Sequence, residues 1–106
     1  MAANKIIWHP VAKIELKEIL DFYIWRNKSK SYSEKLLHKI NTQINSFLIF
    51  PYAAKNTDFE DIQYFTIDNN FIFYKVVENI IYILMVSDAR RNPKTILSKL
   101  SKRTTE

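Results

Sequence analysis

The 106-residue sequence contains no glycine and no cysteine. Without glycine the chain cannot form a glycine-rich phosphate-binding loop, and without cysteine it has no disulfide framework and no thiolate metal site. Tight turns must instead use asparagine and aspartate, which tolerate a left-handed backbone better than most residues. Turns are therefore predicted at Asn27, at 68–70 (Asp-Asn-Asn) and at Glu78-Asn79.

Long apolar runs are also absent. No run approaches the roughly 18 residues that a membrane-spanning helix needs. The opening MAANKIIWHP has one lysine and lacks the apolar centre of a signal peptide. We therefore expect a cytoplasmic protein with no membrane partner. At this length we expect a single domain over residues 1–106, with a frayed tail from about residue 101.

The charge is unbalanced toward the positive side. The formal net charge is +5, and residues 90–103 carry six lysines and arginines without one acid. This distribution favours an anionic partner, either nucleic acid or an acidic protein segment. A mildly basic surface with no specific partner is the simpler interpretation, and the charge alone does not separate the two.

Hydrophobic periodicity and turn signals predict an α+β fold in the order β-α-α-β-β-β. Ser31 and Glu34 match a capping box at the start of the second helix. A helical hairpin should pack on a small, mostly antiparallel sheet, with the first strand beside a later one and an optional short C-terminal helix. The predicted strands are 5–8, 62–67, 71–77 and 80–87; the predicted helices are 10–26, 32–50 and 93–100; residues 52–61 form a loop.

Seven apolar positions are predicted to be mostly buried in this arrangement. They recur at helical spacing on the two helices or lie in the two nearly continuous apolar strands. They are Leu16, Ile19, Leu36, Ile40, Phe73, Ile83 and Leu84.

Several ordered segments resemble one known family. The sequence Ile7-Trp8-His9-Pro10-Val11-Ala12 leads into an amphipathic helix, and 48–51 closes the second helix. The strand 71–76 follows, and a last strand over 81–86 leads into Ala89-Arg90-Arg91-Asn92-Pro93. From about Ile6 to Pro93 this set resembles the RelE/ParE superfamily, the toxins of type II toxin–antitoxin pairs.

This resemblance implies a compact toxin held inactive by a cognate antitoxin, with no cofactor. It also implies one of two targets. The favoured hypothesis is a metal-independent endonuclease of ribosome-bound mRNA, whose basic and tyrosine side chains lie on the open sheet face. The alternative is a non-enzymatic inhibitor of DNA gyrase, and a third is a degenerate toxin that only binds its antitoxin. Antitoxin class, codon preference and oligomeric state stay open.

The nuclease hypothesis singles out cations and tyrosines. Arg90, Arg91 and Lys55 are the predicted catalytic residues, because guanidinium and ammonium groups stabilise a phosphate undergoing cleavage. Tyr64 and Tyr82 could stack on bases or donate a proton. The simpler interpretations are solvated cations, an ion pair of the arginines with Asp88, and half-buried tyrosines.

Two further features bear on the target. The resemblance places Gln63 where the nuclease branch usually has an arginine, which weighs against cleavage. Phe22, Ile24 and Trp25 lie off the buried stripe of the first helix, so they could form a partner surface or simply widen that stripe. Trp25 and Asp88 join Tyr64 and Tyr82 as predicted substrate- or partner-binding residues. His9 and His38 lack the paired spacing of metal ligands, so no metal site is predicted.

Overall fold

A computed structural model describes residues 3–59 and 61–104. It is an α+β fold of three helices and a five-stranded mixed sheet, which confirms the predicted class and order and adds one short strand. No helix in these residues is both long and apolar enough to cross a bilayer. The elements are β1 (Lys5–Trp8), α1 (Pro10–Asn27), α2 (Ser31–Ser46), β2 (Lys55–Asn56), β3 (Ile62–Ile67), β4 (Asn70–Val77), β5 (Ile80–Asp88) and α3 (Pro93–Thr104).

The sheet has the strand order β1-β5-β4-β3-β2. β1 pairs in parallel with β5, and the other neighbours are antiparallel. The parallel pair needs a long connection, and α1 and α2 provide its first part. The prediction that β1 lies beside a later strand is confirmed. β2 falls inside the predicted loop 52–61, where two polar residues give no strand pattern.

The turns show how the chain manages without glycine. Glu78 and Asn79 both have positive φ angles, 52° and 65°, between β4 and β5. Positive φ at both central residues is what a tight type I′ hairpin requires. Asp68 has a φ of 52° in the preceding turn. At the end of α1, however, Lys28 and not Asn27 takes the left-handed position, with a φ of 55°.

One face of the sheet carries the helical hairpin. The buried cluster on this face draws on both helices and on β3, β4 and β5. Leu36, Ile40 and Ile83 are buried as predicted. Leu16 and Ile19 pack at the margin of this cluster and are only half-buried, because α1 turns Ala12 most directly toward the sheet.

The other face is partly covered by α3. Ile96 and Leu100 pack there against a cluster that includes Phe73 and Leu84, both buried as predicted. The predicted frayed tail is wrong for residues 101–104, because α3 continues to Thr104. Arg103 lies on the same helical face as Ile96 and Leu100 and is only 9% exposed, which anchors the last turn. Residues 105–106 lie outside the described residues.

A β-bulge interrupts the pairing of β4 with β5. Tyr74 pairs with Ile83 and Phe73 pairs with Met85, so Leu84 has no partner on β4. The extra residue puts Leu84 and Met85 in the same cluster under α3. Bulges bend a strand and redirect the residues beyond them. Here the bulge precedes the end of β5, where Asp88 and the two predicted arginines lie.

Candidate functional site

A buried ion pair joins α1, β5 and α3. Glu15 accepts hydrogen bonds from Arg103 at 2.7 Å (Nη1 to Oε1) and 2.8 Å (Nη2 to Oε2). Glu15 Oε1 also accepts from the Val86 N–H at 3.1 Å, and Arg103 Nη1 donates to the Leu84 carbonyl at 3.1 Å. Glu15 and Arg103 are each only 9% exposed.

This ion pair satisfies backbone groups of β5 that β1 does not reach. β1 pairs with β5 only as far as Ile83, although β5 continues to Asp88. Beyond that point the outer edge of β5 would carry unpaired backbone groups, which are costly when buried. Glu15 and Arg103 satisfy one N–H and one carbonyl there. Neither residue was predicted, although Glu15 beside an apolar stripe and Arg103 three residues after Leu100 were available signals.

Arg90, just after β5, forms an ion pair with Asp88. Arg90 Nη2 lies 2.8 Å from Asp88 Oδ2, and Arg90 Nε lies 3.1 Å from Asp88 Oδ1. Chiefly through its side-chain hydrogen bonds, Arg90 holds the pKa of the Asp88 carboxyl below its usual value. The Asp88 contact raises the pKa of Arg90 in turn. The ion pair with Asp88 that we set against a phosphate-binding role is therefore present, and Arg91 beside it is exposed.

Two clefts open beside these charges. The first, of about 410 Å³, lies between α1 and the end of β5 and is lined by Phe22, Tyr23, Asp88, Arg90 and Arg91 among others. The second, also of about 410 Å³, lies between α1 and α3. Glu15, Glu18 and Arg91 line both clefts, so the two are contiguous along α1.

Lys55 lies in a different part of the molecule. It pairs with Tyr64 across β2 and β3, and Tyr64 pairs with Phe73 on β4. Directly opposite residues project to the same face of a sheet, so these three share the face that α3 partly covers. β2 and β5 are three strand spacings apart, about 14 Å. Lys55 therefore does not join Arg90 and Arg91 in one catalytic group.

The part of this face beyond α3 is basic and aromatic, and we call it the open face. Tyr64 has ring contacts with Phe71 at 5.7 Å and Phe73 at 5.9 Å between centroids. Lys75 lies two residues beyond Phe73 on β4, so it projects to the same side. Lys75 also pairs with Tyr82 on β5, which places Tyr82 on this face as well. We define the open face by Lys55, Tyr64, Phe71, Lys75 and Tyr82.

Lys75 was missed because it stands inside an apolar run, FIFYKVV, where one lysine does not disturb the strand prediction. Strand alternation was the signal that could have found it. With Phe73 predicted to be buried, Lys75 had to lie on the same side of the strand. The register then places it diagonally from Tyr64.

Gln63 does not face the open side. It is 5% exposed and pairs with Tyr74, which belongs to the cluster under the helical hairpin. Its Nε2 donates to Asn56 Oδ1 at 3.4 Å. Its neighbours Ile62 and Tyr64 project instead to the α3 side. The missing arginine at Gln63 is therefore no argument about the chemistry of the open face.

The far end of α1 exposes aromatic area. Trp25 is 67% exposed and Phe22 is 45% exposed, while Ile24 is half-buried. Lys28 Nζ lies 5.3 Å from the centre of a Trp25 ring. The first of the two sequence interpretations, an exposed apolar surface, holds for Phe22 and Trp25. Trp25 is remote in sequence from the open face and lies on the other layer of the fold.

The two histidines lie in different parts of the fold. His9 precedes α1, and its Nδ1 accepts a hydrogen bond from the Val11 N–H at 3.1 Å. His38 is exposed on α2. Within residues 3–59 and 61–104, no three histidine, aspartate or glutamate side chains gather in a way that could hold a metal ion.

Comparison with known proteins gives one family and one fold. Residues 6–93 match the family model described as ParE toxin of type II toxin–antitoxin system, parDE. No curated protein sequence matches this chain. Among solved structures, a mutant of the E. coli toxin RelE in the free state has a similar fold, with a TM-score of 0.70 and 15% identity. That similarity covers 97% of this chain and 98% of the other.

Proposed function

Because this chain belongs to the ParE toxin family of type II toxin–antitoxin systems, we propose that it arrests growth by cleaving ribosome-bound mRNA on its open face. Membership in the family implies a cognate antitoxin as partner. The proposal concerns the target; the alternatives are DNA gyrase and a degenerate toxin that only binds its antitoxin. The similar fold of E. coli RelE is consistent with the mRNA alternative.

The observation that carries the proposal is the grouping of Lys55, Tyr64 and Lys75 on the open face. Aromatic rings flanked by lysines form the usual surface for single-stranded nucleic acid, since bases stack on the rings and ammonium groups contact phosphates. Lys55 is exposed, and Tyr64 and Lys75 are half-buried. The two lysines would stabilise the charge that develops on the scissile phosphate when the ribose 2′-hydroxyl attacks it.

The open face does not supply both proton-transfer groups that RNA cleavage needs. Cleavage needs a base for the 2′-hydroxyl proton and an acid for the departing 5′-oxygen. Tyr64 is our choice for the acid, since its hydroxyl is at the centre of the group. The outward positions of β2, β3, β4 and β5 on this side include no histidine, aspartate or glutamate. We therefore expect a group of the ribosome to act as the base that takes the 2′-hydroxyl proton, and free RNA to resist cleavage.

A second candidate function is favoured by the helical side. Arg90 is held by Asp88, and Phe22 and Trp25 are exposed on α1. These features suit a non-enzymatic inhibitor that binds gyrase through the helical hairpin, since exposed aromatic side chains are common anchors of protein interfaces. The two functions use opposite layers of the fold, so substitutions can separate them.

The deciding experiment compares three variants under induced expression. Lys55→Ala with Lys75→Ala should relieve growth arrest and remove mRNA cuts seen by primer extension. The expected loss is roughly a hundredfold in cleavage, about 3 kcal/mol, which is typical for removing a transition-state contact. Lys13→Ala with Lys35→Ala is the matched control, because it removes the same charge from exposed helical positions. Trp25→Ala should leave mRNA cleavage intact.

DNA supercoiling is read in the same cells. Uncut mRNA together with relaxed plasmid DNA would transfer the assignment to gyrase. In that case Trp25→Ala, and not the double lysine variant, should relieve growth arrest.

A further inference from the structure

The open face continues onto the edge strand β1. Ile6 and Trp8 of this strand pack in the cluster under the helical hairpin. Successive strand residues alternate between faces, so Lys5 and Ile7 project to the side of the open face. Both are exposed, and Ile7 pairs with Tyr82 of β5. Lys5 therefore extends the basic and aromatic surface by one strand beyond β5.

The register of the sheet fixes the distance from Lys5 to the next lysine. Lys5 pairs with Ile80 on β5, and Ile80 pairs with Val77 on β4. Lys75 stands two residues before Val77 on the same strand. Two strand spacings and two residues of rise thus separate Lys5 from Lys75. Their Cα atoms are about 12 Å apart at the usual spacings of a sheet.

An equal step leads from Lys75 to Lys55. Lys75 pairs with Ile62 on β3, and Lys55 pairs with Tyr64, two residues beyond Ile62. This step again crosses two strand spacings and two residues in the same direction, about 12 Å. Lys5, Lys75 and Lys55 therefore lie on one line across the sheet, about 24 Å long, which we call the lysine diagonal.

The two tyrosines of the open face form a parallel line. Tyr82 on β5 is level with Lys75, and Tyr64 on β3 is level with Lys55. The two tyrosines are therefore also related by two strand spacings and two residues. Both are half-buried at the margin of the cluster under α3. Lysines in one line and rings in the next match the two sides of a single nucleic-acid strand, because ammonium groups contact phosphates and bases stack on rings.

No acid interrupts the lysine diagonal. Among the described residues, none of its three lysines forms an ion pair. The outward residues of β1 are Lys5 and Ile7, and the acids nearest in sequence stand in turns, at Glu78 and within 58–61. The strands under the diagonal therefore present a charge of +3 to an anionic ligand, which favours a polyphosphate chain.

We propose that a single strand of the mRNA substrate crosses the sheet along the lysine diagonal, with Lys5 as a phosphate contact away from the cleavage site. Its phosphates contact the lysines and its bases stack on the tyrosines. This inference rests on the proposed function, in which Lys55 and Lys75 act at the scissile phosphate. A stacked strand has one phosphate per 3.4 Å, so about seven nucleotides reach from end to end, and an extended strand needs fewer.

The test measures the binding of purified toxin to fluorescent oligouridine strands of four, seven and ten nucleotides. Their 2′-hydroxyls are methylated, so the strands bind without being cleaved. Lys5→Ala should lower the slope of log affinity against log salt concentration by about 0.7, the value for one phosphate contact of a single strand. Between 1 M and 0.1 M salt this slope corresponds to a roughly fivefold loss of affinity.

Strand length gives a second readout. Wild-type affinity should rise from four to seven nucleotides and then level off. The rise should be much smaller for Lys5→Ala, because Lys75 and Lys55 alone span only about 12 Å. Lys5→Arg keeps the charge and should bind like the wild type. Lys35→Ala is the matched control, since it removes one exposed lysine from α2.

Cleavage on programmed ribosomes separates binding from chemistry. Lys5→Ala should raise the mRNA concentration for half-maximal cleavage more than it lowers the saturated rate. If this variant melts early, Lys5→Gln replaces it. Impaired cleavage with normal oligouridine binding would mean that Lys5 contacts the ribosome, and would overturn the proposal.

Two further results decide between this inference and the proposed function. An unchanged salt slope for Lys5→Ala, or wild-type toxin that binds none of the strands, would overturn the path along the lysine diagonal even if the toxin cleaves mRNA. Wild-type toxin that binds the strands through Lys5 but cuts no mRNA would support the path and overturn the proposed cleavage.

Discussion

The corner where α1, β5 and α3 meet and the open face are both rich in charge, but they use it differently. At the corner, which we define by Glu15, Asp88, Arg90 and Arg103, each charge has a partner of opposite sign. On the open face, Lys55 and Lys75 make no ion pair with the described residues and lie beside aromatic rings. The Glu15–Arg103 pair holds α1 and α3 together, and Asp88 neutralises Arg90 at the end of β5. The lysines beside aromatic rings, in contrast, are available to a ligand. A cluster of arginines in the sequence, such as Arg90 and Arg91, therefore does not by itself identify a functional site.

Breaking the buried ion pair gives the largest expected effect. Arg103→Ala leaves the Glu15 carboxylate buried without its guanidinium, and such losses typically cost about 3–5 kcal/mol. A domain of this size has about 5–15 kcal/mol in total, so urea unfolding should shift strongly. Lys99→Ala on the same helix is the control and should change stability by less than about 0.5 kcal/mol. A similarly small change for Arg103→Ala would mean that the corner is not structural.

Substitutions of Tyr64 give the next largest expected effect. Two of them separate the role of its ring in base stacking from the role of its hydroxyl in proton transfer. Tyr64→Ala should weaken mRNA binding by about 1–3 kcal/mol, since a base loses its ring partner. Tyr64→Phe keeps the ring and should bind normally but cleave more slowly if the hydroxyl is the acid. Binding and single-turnover cleavage on programmed ribosomes measure the two separately. Equal cleavage by Tyr64→Phe and wild type would remove the hydroxyl from the mechanism.

The smallest effect concerns the exposed ion pair at the corner. The pKa of Asp88 is lowered in the fold, chiefly by the hydrogen bonds from Arg90. A lowered carboxyl pKa stabilises the fold above the unfolded value of about 3.9, and this contribution is lost as the pH falls through the folded pKa. The Asp88 side chain is 28% exposed and that of Arg90 65%, so solvent screening keeps the contribution of this ion pair to stability small.

Asp88→Asn should therefore melt slightly below the wild type from pH 5 to pH 8. The two melting temperatures should converge at lower pH, where the wild-type carboxyl is also protonated. A difference that grows on acidification would contradict the assigned cause of the pKa shift.

The fold was largely predictable because its signals are local. The runs of β3, β4 and β5 are bounded by asparagine and aspartate turns, and the predicted limits fall within one residue of the observed strands. β2 could not be predicted, since two polar residues form a strand only through their pairing with β3. The capping box at Ser31 was wrong. Ser31 is itself helical, and its N–H donates to Ser29 Oγ at 3.1 Å.

The site was less predictable because its groups come together across long separations. Glu15 and Arg103 are 88 positions apart, and nothing local to either residue indicates the other. The sequence placed Lys55 and the arginines in one site because all are basic, whereas β2 and β5 lie at different places in the sheet. Which side Gln63 and Lys75 face followed from strand alternation, but only the register shows that Lys75 approaches Tyr64.

The most direct test of the open face is the single-turnover rate at which purified toxin cleaves mRNA on programmed ribosomes. Lys55→Ala with Lys75→Ala should reduce this rate roughly a hundredfold without changing the melting temperature. Arg90→Ala should reduce it less than tenfold, because Asp88 already engages that guanidinium. The opposite order, with Arg90→Ala inactive and the lysine variant unimpaired, would contradict the assignment of cleavage to the open face.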